Sequence, residues 1–383
     1  MTTAPDGGRV AELARQSHRV ITALQHPGGA YPASPTFSAY RGYAWLRDGA
    51  FTAEGISRYG DVTSASRFHD WVAGVLADRA EVVATLCRDA ADGREIPLDR
   101  MLPTRFTFDG GAGSDPWWDF QTDGYGTWLW SLVEHAGRHG LDLERWRAGI
   151  EVAVDYLTTF WSRPCYDWWE EHVEERHVST LGAIHAGLTA VARVPLLDES
   201  RRAAAGRAAD QVRERVLAEG TTTGRASDHG APHLAKWFGS AQVDASLAAC
   251  VVPFGLVERG SALATATLDA IAVDLEVDGG VHRFRADVFY GGGQWLLLAC
   301  LLGWNRAAAG DREGALRNLL WVADQADPDG HLPEQVPGHL LHPEARAEWV
   351  DRWGEVASPL LWSHGMFLIL ADELGLLPEG PLR

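Results

Sequence analysis

The chain has 383 residues, 46% of them hydrophobic, with 17 Trp, 12 Phe and 8 Tyr, a composition that excludes a disordered polypeptide. A net charge of -18, from 52 acidic against 34 basic residues, argues against a phosphate-binding surface and so against nucleic acid as a partner. No stretch approaches roughly 18 uninterrupted apolar residues, and the N-terminal residues lack the apolar run of a secretory signal, which predicts a soluble, cytoplasmic protein with no membrane partner.

Helical amphipathic periodicity recurs from end to end, and strand-like alternation is nearly absent. In chain order, helices are expected near 9-25, 48-59, 63-88, 124-138, 143-161, 180-193, 198-219, 244-257, 262-275, 294-307, 311-326 and 359-374. The first of each successive pair has one wet face, as in DESRRAAAGRAADQVRERVLAEG; the second is apolar on most sides, as in QWLLLACLLGW and PLLWSHGMFLILADEL, and belongs inside. Such alternation predicts an all-α fold, an (α/α)6 barrel of six inner and six outer helices. The pairs share no fixed sequence period, which disfavours an open solenoid. No Pro-, Gly- or Ser-rich linker divides the chain, so 1-383 is expected to form a single catalytic domain. Cys87, Cys165, Cys250 and Cys300 lie far apart with no CxxC spacing, which suggests neither a zinc site nor a disulfide framework.

Polar and aromatic residues concentrate just before or at the start of the inner helices. The segments are WLRDG (45-49), PWWDFQTDGYG (116-126), DWWEEHVEERH (167-177), HLAKWFGSAQVD (233-244), HRFRADVFYGGGQW (282-295) and HLPEQV (331-336). With parallel inner helices, all of these loops open at one end and line a bowl of Trp, Arg and carboxylates. Indole faces pack on the C-H faces of a pyranose, and charged groups hydrogen-bond its hydroxyls, so the bowl suits a sugar.

Glycoside hydrolysis needs two carboxyl groups across the scissile bond, one protonated and one ionised. Glu170-Glu171, preceded by Asp167-Trp168-Trp169, offers an acid whose pKa aromatic burial and neighbouring negative charge would raise. For the second carboxylate, Glu334 in the polar loop GHLPEQV competes with Asp48, Asp123 and Asp287, and spacing alone does not choose among them. Lys236 is the only lysine in the chain, and with Trp237 in one of these loops it is a candidate contact for a bound sugar.

These motifs, in this order from about residue 40 to 370, resemble glycoside hydrolase family 15, the glucoamylase-type (α/α)6 enzymes. The resemblance implies an inverting exo-acting α-glucosidase that releases β-glucose from a non-reducing end, with no metal or organic cofactor. It places the WxRD element on Trp45, Arg47 and Asp48, whose Arg and Asp would hold hydroxyls of the terminal glucose. The WEE element falls on Trp169, Glu170 and Glu171, making Glu170 the general acid and Glu171 a sugar ligand. Trp117 precedes the QxDG element at Gln121, Arg283 falls four residues before Asp287, and the last inner aromatic falls on Trp362. The family's base falls on Glu334, beside Gln335. One departure stands out: RGYA separates Tyr40 from Trp45, so the tyrosine that many fungal members place beneath the anomeric carbon is displaced or replaced by Arg41. Nothing in the chain corresponds to a starch-binding module, so a short substrate is expected, isomaltose or short isomalto-oligosaccharides first, with maltose and trehalose open. A trehalase or disaccharide phosphorylase on the same barrel, and a non-catalytic sugar-binding protein, are the rival readings. The oligomeric state is not encoded in these patterns.

Overall fold

A helix that is apolar on nearly every side must be enclosed by other elements, and the chain supplies such helices in alternation with amphipathic ones. The computed structural model describes residues 4–117, 120–224 and 230–378. In chain order its helices are α1 (Ala4–Leu24), α2 (Leu46–Tyr59), α3 (Val62–Ala77), α4 (Ala80–Ala91), α5 (Asp123–His139), α6 (Arg147–Phe160) and α7 (Val178–Ala192). There follow α8 (Glu199–Glu219), α9 (Ala262–Leu275), α10 (Leu296–Ala308), α11 (Arg312–Asp324), α12 (Arg346–Trp353) and α13 (Leu361–Glu373).

The inner ring closes on itself. Helix α2 packs on α5, α5 on α7, α7 on a 3-10 segment (Ala245–Cys250), that segment on α10, α10 on α13, and α13 back on α2. In α13 every residue from Leu361 to Ala371 is buried. Outside, α8 buries only Ala205, Ala208, Ala209, Val212 and Val216, a stripe at helical spacing against α7 and α6. The fold is the expected (α/α)6 barrel.

Helix starts differ between the two layers. Outer helices α3, α8, α9 and α11 begin with side-chain caps from Asp61, Asp198, Ser261 and Asp311. Inner helices α2, α5, α7, α10 and α13 have no side-chain cap. Their first N-H groups go instead to loop carbonyls: Val178 to Lys236 at 3.1 Å and Leu361 to Ala33 at 3.0 Å, with longer contacts from Leu46 to Thr104 and from Leu296 to Glu334, both 3.4 Å. The loops over the inner helices are thereby tied to the barrel they cover. Short antiparallel pairs reinforce them, the largest joining Glu276–Val277, Gly280–His282, Gln294–Trp295 and Gln335–Val336 in that order.

Three segments differ from the expected elements. The helix expected over 63-88 is two helices, α3 and α4, and at the bend Arg79 donates to Val75 O at 2.7 Å and Gly110 O at 2.7 Å. The inner helix expected over 244-257 is only the 3-10 turn Ala245–Cys250, because Pro253 brings no N-H and fits no helix interior. Asn305 of α10 completes the exposed backbone there, donating to Ala248 O and Val252 O and accepting from Val252 N. Residues 337-357, where no helix is expected, contain α12. Trp118 and Asp119 of the PWWDF segment lie outside the described residues.

Inner helices touch at glycines. A Cβ on Gly126 of α5 would lie 2.4 Å from Ala183 O of α7, and one on Gly55 of α2 would lie 2.4 Å from Gly365 O of α13. Gly137, also in α5, has nothing within 4 Å of its would-be Cβ. Gly126→Ala is therefore expected to lower stability by about 1–3 kcal/mol through overpacking. Gly137→Ala should raise it by up to about 1 kcal/mol through helix propensity. Thermal or urea unfolding of the two variants checks both signs.

Candidate active site

The loops that precede the inner helices meet over one cavity of about 260 Å³. Trp45, Arg47 and Asp48 come from the start of α2, Trp117 from the loop before α5, Trp168 to Glu171 from the loop before α7, and Arg283 and Trp295 from the segment before α10. Glu334 comes from the loop before α13 and Trp362 from that helix's first turn. The structure thus brings together Trp45, Arg47, Asp48, Trp117, Trp169, Glu170, Glu171, Arg283, Glu334 and Trp362. The floor is solid: Trp362 stacks on Phe51 with centroids 5.7 Å apart, and Phe51 packs in turn on Trp168 and Phe254.

Glu170 sits in a tight turn. The Asp167 carbonyl accepts from Glu170 N at 3.1 Å, and Asp167 Oδ1 accepts from Trp169 N and Glu171 N, both at 2.9 Å. Glu170 itself has φ 64, a left-handed conformation unfavourable for a residue with a Cβ. Those three hydrogen bonds hold it there. Its two carboxyl oxygens each accept an indole N-H, Oε1 from Trp45 and Oε2 from Trp117, at 2.6 Å. The indoles and Arg47 favour the carboxylate, but enclosure in the aromatic cavity outweighs them and pushes the group up to about 7.

Glu334 is 3% exposed and lies across the cavity wall from a different part of the chain. Its backbone is fixed by Ala357 O, which accepts from Glu334 N at 2.9 Å, and by the ladder pairing Gln335 with Trp295. Burial pushes its carboxyl up to about 8, against the opposing pull of the Tyr40 hydroxyl and Arg283. Tyr40 donates to Glu334 Oε1 at 2.9 Å.

Arg47 is buried, donating to Gln121 Oε1 and Asp123 Oδ2 at 2.9 Å, and its guanidinium lies 5.0 Å from the Trp362 ring centroid. Asp48 Oδ2, 3.2 Å from Arg47 Nη2, accepts no hydrogen bond among the described residues. The indole N-H groups of Trp168, Trp295 and Trp362 likewise find no partner there. A buried polar atom without a partner is costly, and the residues that carry these atoms line the cavity. Arg283 donates from Nε to Asp287 Oδ2 at 2.7 Å and from Nη2 to the other Asp287 oxygen, and Glu171 Oε1 stands 3.6 Å away.

Two expected contacts lie elsewhere. Lys236 is 2% exposed and does not line the cavity; its ammonium stands 2.9 Å from Asp244 Oδ2 and 3.3 Å from Asp167 Oδ2, above the Phe284 ring. With two acidic partners underneath the loop, it has no reach to a leaving sugar. Trp237 packs on His172 and His177 outside the cavity. The displaced tyrosine is also corrected: Tyr40 occupies the cavity beside Glu334, and Arg41 is exposed.

Sequence reasoning missed Phe289, Trp349, Arg352 and Trp353, which also line the cavity. The last three come from α12. Trp353 meets Trp117 with centroids 6.5 Å apart, and Trp349 meets Phe289 at 4.9 Å. Their i, i+4 spacing in EWVDRW was the available signal.

Comparison with known proteins accords with this geometry. The sequence profile of Glycosyl hydrolases family 15 matches residues 9–317, a span that ends before Glu334. Isomaltose glucohydrolase of Kribbella flavida is 69% identical over 372 residues, covering 97% of this chain and 94% of that protein. A wild-type glycosidase of solved structure is 67% identical with a TM-score of 0.95, over 99% of this chain and 100% of that one, and the same coverage holds for a variant of a glycosidase in complex with glucose. The glucoamylase of Saccharomycopsis fibuligera, 14% identical, shares the fold at a TM-score of 0.68 over 95% of this chain and 94% of that one. The chain belongs to glycosyl hydrolases family 15 and is a glycoside hydrolase of the glucoamylase type.

Proposed function

We propose that this chain is a single catalytic unit that hydrolyses short α-glucosides with inversion, isomaltose first among them, releasing β-glucose from the non-reducing end. The observation that carries the reading is the pairing of two enclosed carboxyl groups, Glu170 and Glu334, on one cavity whose floor is closed by aromatic packing. A closed floor admits a chain end and not a chain middle. The isomaltose glucohydrolase activity named for the 69% identical relative supports the choice of substrate.

In this reading the terminal glucose seats its hydroxyls on Arg47 and Asp48 and its C-H faces on the surrounding indoles. Glu170, kept protonated by enclosure, gives its proton to the glycosidic oxygen as the C1–O bond breaks. Glu334 takes a proton from a water whose oxygen bonds to C1 on the opposite face, which requires carboxyls about 6.5–9.5 Å apart. The step leaves Glu170 ionised and Glu334 protonated, and one proton passes through solvent to reset the pair. A raised pKa makes Glu334 the stronger base once ionised, and Tyr40 stabilises that ionised form. Trp349 and Trp353 of α12 add two further indoles to the cavity lining for a sugar to pack on. A phosphorylase would need a free cation beside Glu334, and Arg283, the cation that acts on it, is pinned to Asp287. Four unpaired cysteines, three of them buried, fit a cytoplasmic setting. No helix among the described residues is long and apolar enough to cross a membrane.

Glu170→Gln is expected to lower kcat on isomaltose by about 10²–10⁴-fold without unfolding the protein. Proton NMR of the wild-type reaction should show β-glucose first; α-glucose appearing first contradicts inversion.

The pH dependence has a defined sign. Activity requires protonated Glu170 and ionised Glu334; because burial raises Glu334 further than Glu170, that form is a minority one, most populated between the two pKa values and falling away on either side. Both limbs of kcat/KM should lie above the ordinary glutamate value of 4.5. Tyr40→Phe removes a donor that favours the Glu334 carboxylate, so it should shrink the active form further, lowering kcat/KM and moving the upper limb to higher pH. An unmoved limb contradicts the assignment.

A further inference from the structure

The only lysine of the chain is buried beneath the turn that carries Glu170, and the reaction described above gives it no part. Lys236 stands between two buried carboxylates that each hold a piece of that turn. Asp167, 3.3 Å from Lys236 Nζ, receives the backbone N-H groups of Trp169 and Glu171 on its Oδ1. Asp244, 2.9 Å from Lys236 Nζ, receives the Trp169 indole N-H on Oδ2 at 2.9 Å and the Ser246 hydroxyl on Oδ1 at 2.6 Å. Backbone hydrogen bonds fix Lys236 in place as well. Lys236 O accepts from Val178 N at the start of α7, and Lys236 N donates to Gln242 O at 2.9 Å.

The electrostatics require the cation. Asp167 and Asp244 are each 2% exposed, and two carboxylates cannot both remain ionised there without a compensating charge. Arg283 is ion-paired with Asp287 and lies 3.6 Å from Glu171, so Lys236 is the cation in direct contact with both Asp167 and Asp244. The backbone of Glu170 is the part under strain, with φ 64, so the restraint matters at that residue. A weakened Asp167 would loosen the backbone anchors of Trp169 and Glu171, and a weakened Asp244 the anchor of the Trp169 indole.

We propose that Lys236 is a positioning residue for the proton donor: by neutralising Asp167 and Asp244 it keeps the 167–171 turn closed and Glu170 aimed at the glycosidic oxygen. The proposal rests on the reading of Glu170 as general acid. Because Lys236 does not touch the cavity, its effect is transmitted through Asp167, and substrate affinity is not its main concern.

Isomaltose and α-glucosyl fluoride separate this role from a merely structural one. Fluoride departs with little help from an acid, whereas a sugar alkoxide needs the proton. Lys236→Met should lower kcat on isomaltose by about 10²-fold while lowering that on α-glucosyl fluoride by no more than about threefold. Asp167→Asn reaches the same network from its other side and should show the same selective loss, and it serves if Lys236→Met does not fold. Combining the two changes should add little to either alone, since each breaks one chain of contacts. Equal losses on the two substrates, no loss on isomaltose, or fully multiplicative effects in the double variant would overturn the proposal. Wild-type enzyme inert on isomaltose but active on another α-glucoside would overturn the substrate assignment while leaving this comparison to be made on that substrate.

Discussion

A carboxyl group removed from water resists ionisation, and everything distinctive about this cavity follows from applying that constraint twice. Glu334, raised from 4.5 to about 8, carries roughly 5 kcal/mol of bias toward its neutral form at 1.36 kcal/mol per pKa unit. Glu170 is biased the same way to a smaller degree, because two indole N-H groups and Arg47 oppose the burial. Hydrolysis asks for one neutral and one ionised carboxyl in the same small space. The donors each one meets, indoles on Glu170 and a phenol on Glu334, leave Glu334 the more neutral of the two in the empty cavity, so the working pair is a minority form of the free protein.

The barrel supplies this chemistry through its helix starts. Outer helices α3, α8, α9 and α11 are capped by the side chains that precede them, with no call on the loops over the cavity. Inner helices give their first N-H groups to loop carbonyls, including those of Lys236 and Glu334. The residues that close the helix ends are thus the residues that hold the site, and a shift in one inner helix would be felt at the cavity. Close glycine contacts between inner helices limit such shifts.

The layered helical pattern was legible because a buried helix and a half-wet helix differ over many residues. It failed where one residue decided the outcome: Pro253 ended an inner helix that periodicity alone would continue. Most residues of the cavity were legible as well, because Trp, Arg and carboxylates cluster at helix starts. Lys236 shows what sequence position leaves open. A residue in an active-end loop can face the cavity or its underside, and only the positions of Asp167 and Asp244 decide between them. Tyr40 was misplaced for a related reason, since loop length in RGYA does not reveal which side chain turns inward. Helix α12 escaped notice because its eight residues carry Arg, Glu and Asp as well as Trp and Val, and bury no residue fully.

The central claim, that enclosure keeps Glu170 protonated near neutrality, is open to direct observation. Infrared difference spectra of wild type against Glu170→Gln, recorded from acid to alkaline pH, report the protonated C=O stretch of this one carboxyl. The account predicts a band that persists to about pH 7 and disappears above it. A band lost near pH 4.5, the value of an ordinary glutamate, would contradict it.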